Sequence, residues 1–287
     1  TQAGIALWRL LVPKGHPNYA ETTDESLRTL STITSKKLAA YHSSTLDQSS
    51  LIFSIAGDIE IDSMFALAEK HFKKFPVRSI ELPSFTPSTP SSAEKVIIPI
   101  EHKESVDYLV GIATGITQRH EDYPALLIGM NVLGAPNFSG RLMSTVREKE
   151  GLTYGVYANT SGFARHNDGA LIVWAAFAPQ MFDRGRAAVI REIKKLITRG
   201  ATTDEIKKHS FMYLARKKTG LTTSSAYAAL AHDLAADDLP LSHIDSFDKK
   251  IEKLTAADVN KALKKYLVPK LLSEAAAGPV EQNAFGR

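Results

Sequence analysis

The apolar positions of this chain change period several times, and each change predicts an element. Residues 4–12 form a short apolar run that ends at Pro13 and reads as the tail of a helix beginning before Thr1. A turn-rich passage, Pro13 to Tyr19, follows. Thr22 or Thr23 caps a short helix carrying Leu27 and Leu30, and Thr34 caps the next, with Leu38 and Tyr41 on its inner face. Leu51 to Gly57 is a nearly continuous apolar run and predicts a buried strand. Asp62 then caps a helix with Phe65, Ala68, Phe72 and Phe75 at three- and four-residue spacing. Strands follow at about 95–100 and 106–114, and a helix from Pro124 to Leu133. A further strand spans 169–178, and a long helix over 180–199 stops at Gly200. Thr202 and Glu205 form a capping box that opens a helix running towards Lys218. Residues 223–267 are mostly helical, and a last strand lies near 271–277.

The most informative stretch runs from Ser139 to Ala158. Its first part has helical spacing, with Leu142, Val146 and Met143 on one face. Gly151 stops the helix, because glycine takes positive φ at low cost. From Thr153 the period becomes two, which puts Tyr154, Val156 and Ala158 on one side of a strand and Gly155 and Tyr157 on the other. Residues 169–178 supply its hairpin partner. Arg147 thus ends a helix and Tyr154 begins a strand, so a guanidinium and a phenol can converge on one point.

Two further features organise the chain. Residues 76–95 hold Pro76, Pro83, Pro87 and Pro90 among several serines and read as a linker. An internal repeat relates the segments on either side of it. At one constant offset Leu30 meets Ile251, Ile33-Thr34 meets Leu254-Thr255 and Leu38 meets Val259. Leu51 meets Leu272, and Ala56-Gly57 meets Ala277-Gly278, at that same offset. Such a repeat makes 1–75 the second half of a unit whose full form follows the linker, with its first half upstream of Thr1.

Composition narrows the picture. The chain has 287 residues, 44% of them hydrophobic and 23% charged, which suits one large or two medium globular domains with an ample core. The net charge of +4 is small and the basic residues are spread out, which argues against a nucleic-acid partner. The chain has no cysteine, so thiolate metal sites, disulfides and cysteine nucleophiles are excluded. No apolar run is long enough for a membrane-spanning helix.

Candidate chemistry is sparse. None of the nine histidines pairs at i, i+4, and no H-x-x-E-H or H-x-x-x-H occurs. His166-x-Asp168 and His243-x-Asp245 read as surface turns. Ser92-x-x-Lys95, Tyr157-Ala158-Asn159 and Lys218-Thr219-Gly220 stand in the order used by penicillin-binding serine hydrolases. Their context is wrong, since Ser92 leads into a strand and Lys218 ends a helix. Phosphate-binding glycine motifs are absent, and the Gly134–Gly140 segment contains Pro136, which has no N–H to offer. It reads as a loop that reshapes a helix end. Arg147 and Tyr154 remain, either as site residues or as an ion-paired arginine and a half-buried strand tyrosine.

The pattern Gly140-Arg141-Leu142-x-x-x-x-Arg147-Glu148-x-x-Gly151-Leu152-x-Tyr154 resembles the second-half signature of the pitrilysin/insulinase family of zinc peptidases, the inverzincins. The resemblance implies an α+β fold of duplicated two-layer units, each an antiparallel-rich mixed sheet packed on helices, with the first unit truncated here. It implies that 1–80 is the C-terminal part of a first peptidase-like domain, 81–94 a linker, and 95–287 a second, non-metal-binding domain. In that family the first half holds zinc through H-x-x-E-H and a downstream glutamate, whereas the second supplies an arginine and a tyrosine. Neither zinc motif can be placed in this sequence.

The resemblance therefore implies the C-terminal part of a zinc endopeptidase. Arg147 and Tyr154 would orient the substrate carbonyl and oxyanion, and zinc would be bound by the full-length enzyme but not by this chain, which alone should be inactive. The implied partners are a peptide substrate and the N-terminal half or a catalytic subunit, with a homodimer also compatible. The family also suggests an extracytoplasmic setting such as the bacterial periplasm. Three alternatives stay open: a non-catalytic partner or scaffold of the same family, an unrelated peptide-binding module, and a penicillin-binding-type serine hydrolase.

Overall fold

Nearly continuous apolar runs over Val106–Ala113 and Ala170–Phe177 give two strands, largely buried on both faces, that pair antiparallel along their whole length. In chain order the elements of the computed structural model are α1 (Gln2–Leu11), α2 (Thr23–Ser31), α3 (Ser35–Thr45), α4 (Ile61–Phe72), β1 (Lys95–Pro99), β2 (Val106–Ala113) and α5 (Tyr123–Gly134). A π-helical turn (Met143–Lys149) leads to β3 (Gly155–Ser161), β4 (Ala170–Phe177), α6 (Phe182–Arg199), α7 (Thr203–Gly220), α8 (Ser224–Ala236), α9 (His243–Glu252), α10 (Ala256–Tyr266) and β5 (Ser273–Gly278). The structure describes residues 1–45, 47, 51–77, 85–135, 139–281 and 284–286. Part of the expected linker, 81–84, and the centre of the 134–140 loop lie outside the described residues.

The fold is α+β, with one five-stranded mixed sheet in the order β1-β5-β2-β4-β3. Only β1 and β5 are parallel, and β3 is an edge strand paired with β4 alone. The chain divides into two compact units. A sheet unit comprises Thr1–Thr22, Phe85–Tyr213 and Phe247–Arg287, and a helical unit comprises Thr23–Ser84 and Leu214–Ser246.

In the sheet unit, α1 covers one face. Its Ala3, Ala6, Leu7 and Leu11 pack with Leu109, Ala113, Ile172, Ala275 and Ala277. The helix begins at Gln2, where Thr1 Oγ1 accepts the Gly4 N–H at 3.2 Å. On the other face Tyr108 and Phe177 meet Phe182 of α6, with ring centroids 5.9 and 6.4 Å from it. Glu274 lies buried in β5, bidentate to Arg186 and accepting the Tyr108 hydroxyl at 2.7 Å. Burial alone would raise its pKa, but Arg186 and Tyr108 outweigh burial and hold it below its ordinary value. Predicted caps appear here as expected: Thr202 and Glu205 form the box that starts α7, and Gly200 closes α6 at φ 73°.

The helical unit departs from expectation. Thr34 does cap α3, accepting the Lys37 N–H at 3.3 Å. Yet α2, α3 and α4 bury no residue, and the expected inner face of α3 is open, with Tyr41 70% exposed. The predicted strand at 51–57 is not a strand, and its Leu51, Phe53 and Ile55 are exposed. The reason is physical: a strand needs a ladder partner for its N–H and C=O groups, and every described strand belongs to the sheet unit. The rings of Phe53 and Phe75 instead flank Phe72, at 6.2 and 5.8 Å.

Candidate functional site

The site stretch begins at a close backbone approach. Gly140 has φ 111°, and a Cβ there would fall 2.8 Å from the Cα of Gly134, so only glycine fits. The following turn is α-helical and then π-helical over Met143–Lys149, with Leu142, Met143 and Val146 buried. Gly151 takes φ 61° and reverses the chain, as its N–H and that of Leu152 bond back to the carbonyls of Arg147 and Val146. The π-helical widening was not legible in the sequence, since three- and four-residue spacing fits either helix.

Arg147 and Tyr154 are brought together. The guanidinium carbon lies 4.9 Å from the centre of the Tyr154 ring, a cation–π contact worth about 0.5–1 kcal/mol at an exposed site. One guanidinium nitrogen also lies 3.6 Å from Met143 Sδ, one turn back. Tyr154 is 85% exposed. That corrects the expectation that it begins the strand on the same side as Val156 and Ala158. The strand starts at Gly155, and Thr153 makes a tight turn just before it. Its hydroxyl donates to the Ala176 carbonyl at 2.5 Å and accepts the Gly155 N–H at 3.1 Å. This turn breaks the alternation and aims the phenol at solvent while Val156 and Ala158 stay buried.

Arg141, one of the signature residues, plays a structural part. It is bidentate to Glu205 at 2.7 Å and donates to the Gly200 carbonyl at 2.7 Å, tying the site helix to the start of α7. Burial would raise the Glu205 pKa, but the bonds from Arg141 and from Thr202 overcome it and hold the carboxyl at about 2.

Other candidates are scattered. Among the described residues no three His, Asp or Glu side chains are grouped so that they could hold a metal ion. His209 is buried, and burial holds its pKa below the ordinary value. His166 is exposed as expected, but Asp168 is buried and bonded to His16, a pairing that nothing in the local sequence signals. Of the serine-hydrolase residues, Lys95 opens β1 and meets Glu274 at 3.6 Å, Tyr157 to Asn159 lie in β3, and Lys218 to Gly220 end α7. Neither Ser92 nor Lys218 stands in the element that serine chemistry of that type needs.

A family model described as the peptidase M16 inactive domain matches residues 32–212. The chain belongs to the M16 peptidase family. Among its M16-related matches, an uncharacterized zinc protease of Mycobacterium leprae is 24% identical over 88% of this chain and 56% of its own length. A probable inactive metalloprotease of Bacillus subtilis is 21% identical over 85% of this chain and 56% of its own length. The chain thus spans little more than half the length of the curated relatives it matches. The peptidase M16 inactive domain from Pseudomonas fluorescens superposes with a TM-score of 0.77 at 23% identity, covering 98% of this chain and 66% of that one. A chain of complex III from Candida albicans superposes at 0.74 with 12% identity, covering 98% and 68%. At these identities the superpositions speak for the fold alone. No described helix is long and apolar enough to cross a membrane.

Proposed function

We propose that this M16 chain is the C-terminal part of a zinc endopeptidase and supplies the donors that orient the substrate's carbonyl and oxyanion. The observation that carries the reading is the Arg147–Tyr154 pair, a guanidinium laid on a ring whose phenol stands in solvent. Both groups donate hydrogen bonds, and Tyr154 stands outside the core. A carbonyl that gains negative charge requires such donors. In this reading residues 1–80 end a first peptidase-like domain, 81–94 join it to the second, and 95–287 form the second. The exposure of Leu27, Leu30, Leu38 and Phe65 on α2, α3 and α4 supports it, because a further part of the domain would cover such apolar side chains. Part of the repeat supports it too: Thr34 and Thr255 cap α3 and α10, each an 11-residue helix, although 51–57 does not form the strand that β5 forms at the same offset. Zinc would be held outside this chain.

The test uses the whole protein. Tyr154→Phe and Arg147→Ala should each lower kcat/KM for a peptide about 100-fold, as removal of an oxyanion donor does elsewhere, with zinc content unchanged. Turnover near that of the unaltered protein would reduce the pair to surface packing. A second reading is a non-catalytic partner or scaffold of the same family, favoured by the relative named a probable inactive metalloprotease. An H-x-x-E-H motif in the remainder of the protein supports the first reading, and its absence the second.

A further inference from the structure

The chain leaves the sheet unit after Thr22 and re-enters it at Phe85. Both connections end on one carboxylate, that of Asp168 in the β3–β4 loop. His16, six residues before the exit, has its Nε2 2.8 Å from Asp168 Oδ1. Ser88, just after the re-entry, donates its backbone N–H to Asp168 Oδ2 at 2.9 Å. All three residues are buried.

The tautomer of His16 follows from its other nitrogen. Nδ1 accepts the Asn18 N–H at 3.1 Å, so Nε2 carries the proton and donates it to Asp168. Asn18 adds a second tie, its side-chain amide donating at 2.9 Å to the carbonyls of both Asp168 and Gly162. The carboxylate itself is held from beneath. The carbonyl of the next residue, Gly169, accepts the Thr114 N–H at 2.9 Å and the Thr114 hydroxyl at 2.7 Å, and the Gly169 N–H bonds the Ile116 carbonyl at 3.2 Å. Asp168 is thus fixed to the end of β2, while its two oxygens hold two segments far apart in sequence.

We infer that Asp168 is a latch on the 23–84 excursion, one carboxylate that fixes the outgoing and the returning connection together. A bidentate acceptor shared by two donors couples them. Losing one donor lets the side chain turn or draw in water, which weakens the other bond. A buried carboxylate left with one partner is also poorly satisfied, so the two connections should open as one event.

Amide hydrogen exchange on the 287-residue chain tests this, read at the N–H groups of Asn18 and Ser88. Asp168→Asn leaves one acceptor oxygen for two donors, so exchange at both amides should rise at least tenfold together. His16→Ala removes the outgoing bond, together with the acceptor of the Asn18 N–H and the ring contact with Phe85, and leaves the Ser88 bond in place; exchange at Ser88 should still rise several-fold. Strand amides in β2 and β4 should stay within about twofold of the unaltered chain in both variants. Protection at Ser88 that survives His16→Ala would overturn the latch, since the two bonds would then be independent. Equal acceleration in β2 and β4 would also overturn it, by making Asp168 part of hairpin stability.

Discussion

At the residue scale the chain separates polar groups that hold the fold from those that face outward. Arg141 and Arg147 stand on the same helical stretch, yet one is locked in a bidentate pair and the other lies on an exposed ring. The locked pair makes a prediction for acid stability. Glu205 sits at about 2 in the folded chain against an ordinary 4.5, so the unfolded chain binds more protons as the pH falls through that window. Its contribution is complete above pH 4.5 and is lost between there and about 2. Because the carboxylate is partly exposed, solvent screening reduces that contribution to roughly 1 kcal/mol. Urea titrations at several pH values should show unfolding free energy dropping over this range, and Glu205→Gln should give a shallower slope. An unchanged slope would mean that the ion pair does not persist in solution. Asp122, Asp258 and Glu274 are lowered as well, so some slope remains in the variant.

At the element scale, the sheet was legible because its strands carry the pattern themselves. Val106 to Ala113 and Ala170 to Phe177 are apolar enough to be buried wherever they fall, and each found its register within a residue or two of the predicted span. Besides the π-helical widening at Met143–Lys149, three features were not legible. The exposure of Tyr154 depends on where the Thr153 hydroxyl goes, which period-two reasoning does not register. The His16–Asp168 bond joins residues with no shared local pattern. The run at 51–57 has strand composition, but pairing is a property of the neighbour and not of the run. The glycine before the site helix was visible in the sequence, and the structure gives it a testable weight. Gly140→Ala would place a methyl against the Gly134 backbone at a positive φ, and should lower stability by about 2 kcal/mol or more. A urea midpoint unchanged from that of the unaltered chain would show that the two backbones part easily.

For the whole molecule, the question is whether the two units stand or fall together. The sheet unit has a core on both faces of its sheet, formed by α1 on one side and α6 on the other. The helical unit is differently built. Its α2, α3 and α4 bury nothing, and Phe65 is 65% exposed. Isolated helices of 9 to 12 residues are marginal in water without a buried face. The two units should therefore unfold at different denaturant concentrations, and the sequence supplies a clean pair of probes. Both tryptophans, Trp8 and Trp174, lie in the sheet unit and pack against its α1 cluster. Their fluorescence reports that unit alone, whereas far-UV circular dichroism reports the helices of both. On urea titration the dichroism should begin to fall first, with fluorescence following by roughly 1 M, given slopes of about 1–3 kcal/mol/M for small domains. Coincident curves would mean that the helical unit draws its stability from the sheet unit, and the open faces of α2 to α4 would then need no further partner.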